Sequence, residues 1–124
     1  MKEAELRNPV KKLFVPLGYE VFDEPTLFAR GIDLVAKRGD EVVSIELKLA
    51  DWKRAIAQAY LDLRVSDYCY VAMPLKALTP TVRAEASRLG IGLLGVEEAA
   101  HIVLPPKPSA MIQPLLRARF LAKL

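Results

Sequence analysis

The sequence is poor in the residues from which small proteins build covalent or metal staples. One cysteine, Cys69, excludes an intramolecular disulfide and any cysteine-built zinc site. One histidine, His101, leaves too few imidazoles for a zinc centre of the His-rich type. No apolar run approaches the roughly 20 residues of a membrane-spanning helix, so no membrane partner is expected. Internal repeats and low-complexity stretches are also missing. The opening segment, MKEAELRNPVKK, is charged and lacks the apolar stretch of a secretory signal, which predicts a cytoplasmic location. Acid is absent from one region: residues 99–124 hold Lys107, Arg117, Arg119 and Lys123 and no Asp or Glu. The net charge of +3 therefore sits on a basic tail, because the other 14 basic residues face 15 acidic ones. Such a tail hints at an anionic partner, although a solvated helix face would carry the same charge.

What is present suits one folded domain. A chain of 124 residues that is 52% hydrophobic can bury a real core and is too apolar for disorder. Residues 2–16 predict a helix, with Leu6, Val10, Leu13 and Phe14 at helical spacing and Pro9 marking a kink or a late start. Strands are expected at 19–22, 32–37, 42–49, 68–73, 91–96 and 101–104, with a loop at 25–31. Asp51 can cap a helix reaching about Val65, with the stripe Trp52, Ala55, Ile56, Ala59, Tyr60 and Leu63. Thr79 and Pro80 open another helix that Gly90 ends. The Pro105–Pro108 segment divides an α/β domain at 1–104 from a basic helix within 105–124. That helix, carrying Leu115, Leu116, Phe120 and Leu124, is expected to pack on the same domain or in a homodimer. The order predicts an α/β fold, a mixed central sheet flanked by helices.

One strand breaks the apolar rule for central strands. Ser44, Glu46 and Lys48 alternate with Val43, Ile45 and Leu47, so one face carries an acid and an amine. A two-residue turn at Gly39-Asp40 pairs Arg38 with Glu41 and, counting back along both strands, Asp33 with Glu46. Directly opposed side chains lie about 5 Å apart, and two carboxylates so placed repel. A cation between them resolves the conflict, and two carboxylates with water suit Mg²⁺ or Mn²⁺. Lys48 projects from the same face and could hold a water or a phosphate oxygen. A plain Glu46–Lys48 ion pair on a wet sheet face is the bland alternative.

Gly31-Ile32-Asp33 followed by Glu46-Leu47-Lys48 resembles the PD-(D/E)XK nuclease superfamily, with its restriction-endonuclease-like αβββαβ core. The similarity is greatest to small stand-alone members such as archaeal Holliday-junction resolvases, and it spans about residues 2–96. Ile32 stands where the motif's proline would be, and Gln58 and Tyr60 are two residues apart where helicase-associated members have four. The resemblance implies a metal-dependent endonuclease acting on DNA, in which Asp33, Glu46 and the Leu47 carbonyl bind metal. Lys48 and Gln58 would join them as catalytic groups, and Glu5 on the first helix could add a ligand. Arg54, Arg117, Arg119 and Lys123 are candidates for holding the nucleic-acid backbone. With no room for a recognition domain, specificity would come from substrate shape, from a homodimer or from a partner protein. The alternative is a catalytically inactive relative that binds nucleic acid or protein.

Overall fold

Leu6, Val10 and Phe14 fall on one face of helix α1 (Ala4–Phe14) and are buried there. Pro9 sits inside α1 without ending it, and a short 3-10 turn leads to Gly18, whose left-handed φ of 90° turns the chain into the sheet. Glycine is required at that angle because a Cβ would meet the following carbonyl. The computed structural model describes residues 1–27 and 30–124.

The strands of the main sheet are β1 (Glu20–Asp23), β4 (Leu34–Arg38), β5 (Glu41–Leu47), β6 (Tyr68–Pro74), β7 (Gly92–Val96) and β8 (Ala100–Leu104). They lie in the order β1-β4-β5-β6-β7-β8. β5 is antiparallel to β4 and parallel to β6, so the sheet is mixed and changes sense at β5. Three helices pack on one face of it: α2 (Trp52–Asp62), α3 (Pro80–Leu89) and α4 (Pro114–Leu121). The expected mixed α/β architecture with a C-terminal helix is the observed one. The segment read as a loop differs: Thr26–Leu27 (β2) and Arg30–Gly31 (β3) pair as a small hairpin, while positions 28–29 lie outside the described residues.

Alternation along the strands sorts the core into two layers. Leu34, Ala36, Val43, Ile45, Leu47, Tyr70, Ala72, Leu94 and Val96 pack under α1. Cys69, Val71, Met73 and Leu93 pack under α2 and α3, through Ala55, Ile56, Ala59, Val82 and Ala86. On the same face Phe120 of α4 is 2% exposed and shares a cluster with Ile32, Val35, Val42 and Val65. The apolar side of the last helix is thus satisfied within the chain, apart from Leu115, which is 81% exposed. Arg117 fixes this helix: its guanidinium donates to both carboxylate oxygens of Asp67, at 3.0 and 3.1 Å, and to the Asp40 carbonyl at 2.7 Å.

Two expected side-chain roles are corrected. Thr79 caps α3, accepting from Val82 N–H, but the Asp51 side chain makes no cap bond. Asp51 instead turns the chain into α2 through a left-handed backbone, φ 52°, which Asp tolerates better than most residues. On α2 the inward stripe includes Asp62 rather than Tyr60, which is 37% exposed.

Candidate functional site

β5 runs two residues past the point where its ladder with β4 ends. Leu34 pairs with Ile45, as the two-residue turn at Gly39-Asp40 predicts, and that register carried one step on sets Asp33 against Glu46. There the backbone ladder gives way to a side chain: Leu47 N–H donates to Asp33 Oδ2 at 2.8 Å. The N–H and C=O of one strand residue point to the same edge, so the Leu47 carbonyl also faces Asp33.

The charge of Glu46 acts on the Asp33 carboxyl, and Glu46 is buried, 2% exposed, on the face covered by α2. Burial is the first cause that raises the Asp33 carboxyl above its ordinary range. The Leu47 N–H opposes that rise, the charge of Glu46 adds to it, and Arg7 partly offsets it. Two acids brought side by side repel unless one keeps its proton or a cation lies between them. Hard oxygen donors of this kind, two carboxylates and one backbone carbonyl, are the type that Mg²⁺ or Mn²⁺ takes together with water. Among the described residues no group of three or more His, Cys, Asp or Glu side chains forms such a cluster. The set is therefore two acids plus backbone.

Lys48 occupies the next position on the Glu46 face, half-buried, with its N–H on the Ala72 carbonyl at 3.0 Å. Arg54, Gln58 and Asp62 follow one line of α2 at four-residue spacing, passing from exposed through half-buried to fully buried. Glu5 is exposed in the first turn of α1, the helix on the other face of the sheet. Arg119 and Lys123 are exposed at the carboxyl end of α4, whereas Arg117 is engaged by Asp67. Tyr70 is buried edge-on against Phe14 at 5.7 Å, and Tyr68 packs against the α1 layer.

Two residues at the site were not singled out from sequence. Arg7 Nη1 donates to the Asp33 carbonyl at 3.0 Å and to Asp23 Oδ1 at 2.8 Å. Its place one step off the apolar stripe of α1 is the only sequence signal. Asp62, 0% exposed, joins Ser44, Glu46 and Ser66 as the buried polar groups among the described residues. Ser44 Oγ lies 2.8 Å from Cys69 Sγ, and the charges of Asp62 and Glu46 both act on that thiol. Burial first, then those two charges, push the Cys69 thiol above its ordinary range.

The fold and site define a small α/β protein with a carboxylate pair at the end of a central strand. No protein-family profile and no curated protein sequence matches the chain. Among solved structures, the chain is similar to the SPO1766 protein of unknown function from Silicibacter pomeroyi. The TM-score is 0.76 at 20% identity, over 99% of this chain and 84% of that one, which establishes a shared fold. SfsA of Pyrococcus furiosus, solved in complex with Ca²⁺, matches with a TM-score of 0.47 and 18% identity, over 84% of this chain and 61% of that one.

Proposed function

We propose that this chain is a divalent-metal-dependent nuclease that hydrolyses phosphodiester bonds in DNA, with Asp33 and Glu46 as the metal-holding acids. The observation that carries the proposal is the pairing of Asp33 with the buried Glu46 at the end of β5, with Lys48 next on the same face. A bound Mg²⁺ or Mn²⁺ would lower the pKa of a coordinated water and offset charge building on the phosphate. The Leu47 carbonyl supplies the third protein oxygen. Lys48 holds a phosphate oxygen or orients the attacking water, and Gln58 reaches in from α2. The amino end of α2, six residues after Glu46, adds a positive dipole where a phosphate would approach. Arg54, Arg119 and Lys123 are exposed and free to follow the backbone of the substrate.

The resemblance of Gly31-Ile32-Asp33 and Glu46-Leu47-Lys48 to PD-(D/E)XK nucleases supports this reading, and the similarity to junction resolvases makes branched DNA a substrate to try. The test is to incubate the protein with supercoiled plasmid and with a four-way junction, adding Mg²⁺, Mn²⁺ or EDTA. Metal-dependent nicking is expected. It should fall by roughly 100-fold or more in Asp33→Ala, Glu46→Ala and Lys48→Ala with circular dichroism unchanged, since losing one electrostatic stabiliser costs about that much. If no DNA form is cut with either metal, the nuclease reading is wrong. The near-complete burial of Glu46 favours a second reading, an inactive nuclease-fold module with a structural acid pair. A gel shift that persists in Glu46→Ala, with no cleavage by the parent, would select it.

A further inference from the structure

Asp33 is held at both ends: its carboxylate takes the Leu47 N–H and lies under the charge of Glu46. The Asp33 backbone carbonyl accepts from Glu24 N–H at 3.0 Å and from Arg7 Nη1 at 3.0 Å. Glu24 offers that N–H from a left-handed backbone, φ 50°, at the point where the chain leaves β1 for the β2–β3 hairpin. Arg7 is itself braced. Asp23 takes Arg7 at 2.8 Å and Lys11 at 2.6 Å, while the Glu24 carboxylate lies 3.4 Å from the other Arg7 nitrogen. Arg7 is only 22% exposed, so the guanidinium fills a gap between α1 and the end of the sheet. A fork of fixed donors can bridge a carbonyl and a carboxylate at once, which an ammonium on a flexible stem does poorly.

We infer that Arg7 is a positioning residue for the acid pair: it clamps the Asp33 backbone so that the Asp33 carboxylate stays on Leu47 N–H and beside Glu46. The inference rests on the proposed metal-holding role of Asp33 for its functional meaning, but its geometry can be tested without metal. Arg7 touches neither substrate nor metal in this scheme. It acts through Asp33, as outer partners of metal-holding carboxylates do.

The experiment compares the parent, Arg7→Met, Arg7→Lys and Lys11→Met. Lys11→Met breaks a bond of the same network without touching Asp33 and serves as the structural control. The first readout is hydrogen exchange at the Leu47 amide in metal-free protein. Arg7→Met should speed it about tenfold or more while amides in β6 keep their protection. The second is Mn²⁺ affinity by calorimetry, which should weaken roughly 10- to 100-fold in Arg7→Met, be partly regained in Arg7→Lys and stay unchanged in Lys11→Met. Parental Leu47 exchange and Mn²⁺ affinity in folded Arg7→Met would overturn the clamp while leaving the metal reading intact. A parent that binds no Mn²⁺ but whose Leu47 amide still depends on Arg7 would overturn the metal reading and keep the clamp. Should Arg7→Met not fold, Arg7→Lys decides through the same two readouts: parental values in both would overturn the clamp.

Discussion

At Asp33 two opposed influences meet on one carboxyl: burial and the neighbouring Glu46 favour the proton, while Leu47 N–H and Arg7 favour the charge. The first pair wins, so the folded protein holds this proton to higher pH than the unfolded chain, whose ordinary value is 3.8. Between the two values the native state binds more protons, and stability falls as pH rises through that window. Asp33 should therefore contribute a downward slope to the stability of the metal-free protein as pH rises through that window, against the opposite contribution of Asp23, whose carboxyl Lys11 and Arg7 lower. Glu46→Gln, which removes the like charge, should flatten that slope, and Mg²⁺ should restore stability at neutral pH by binding the folded state alone. Calorimetric scans across the pH range check this; identical slopes for the parent and Glu46→Gln would contradict it. The pair itself was legible in the sequence, because strand alternation and a two-residue turn set the Asp33–Glu46 register without any tertiary information. Arg7 was not, since nothing local says that a charged residue beside an apolar stripe will reach a carbonyl 26 residues away.

At the scale of elements, α4 shows how a helix without a strong amphipathic pattern is still fixed. One side chain, Phe120, enters the core, and one guanidinium, Arg117, ties the helix to Asp67 and to the turn between β4 and β5. Phe120→Ala should cost about 3–5 kcal/mol in chemical denaturation, in the range of buried Phe truncations. Leu115→Ala, at a position 81% exposed, should change stability by less than about 0.5 kcal/mol. Equal effects would mean that the helix is docked through another face. The sequence marked this helix and its apolar residues but left open whether they face the same chain or a second copy. That choice depends on the gap that Ile32, Val35, Val42 and Val65 leave beside α2, which exists only once the sheet is built. The inward stripe of α2 misled for a related reason. Tyr60 and Asp62 both border the stripe, and hydrophobicity favours Tyr60 inside, yet Asp62 is the one buried, near enough to Cys69 for its charge to act on the thiol.

At the scale of the whole molecule, the basic tail divides by role. Arg117 belongs to the architecture, and Arg119 and Lys123 remain exposed on the helix that shares a cluster with Ile32, the neighbour of Asp33. If these two cations follow a DNA backbone, the double variant Arg119→Ala/Lys123→Ala should shallow the log–log salt dependence of DNA binding by about 0.9 for each phosphate left without its cation. An unchanged slope, measured by fluorescence anisotropy from low to moderate salt, would return them to the role of solvated charges. Arg117→Ala should instead lower the melting temperature. The composition stated the excess of positive charge correctly but could not separate these roles, because one arginine's partners, Asp40 and Asp67, lie far back in the chain.

The unequal lengths of β4 and β5 carry a final consequence. β5 continues to Leu47 while β4 begins only at Leu34, so the sheet ends in a step rather than a flush edge. A flush edge would consume the Leu47 N–H and carbonyl in ordinary pairing and leave Asp33 with no backbone donor. The candidate site is thus housed in a missing rung of the ladder. In any chain sharing this fold, the number of residues between the β4–β5 turn and the first acid should tolerate no insertion, whereas the hairpin beyond the acid can vary in length without closing the step.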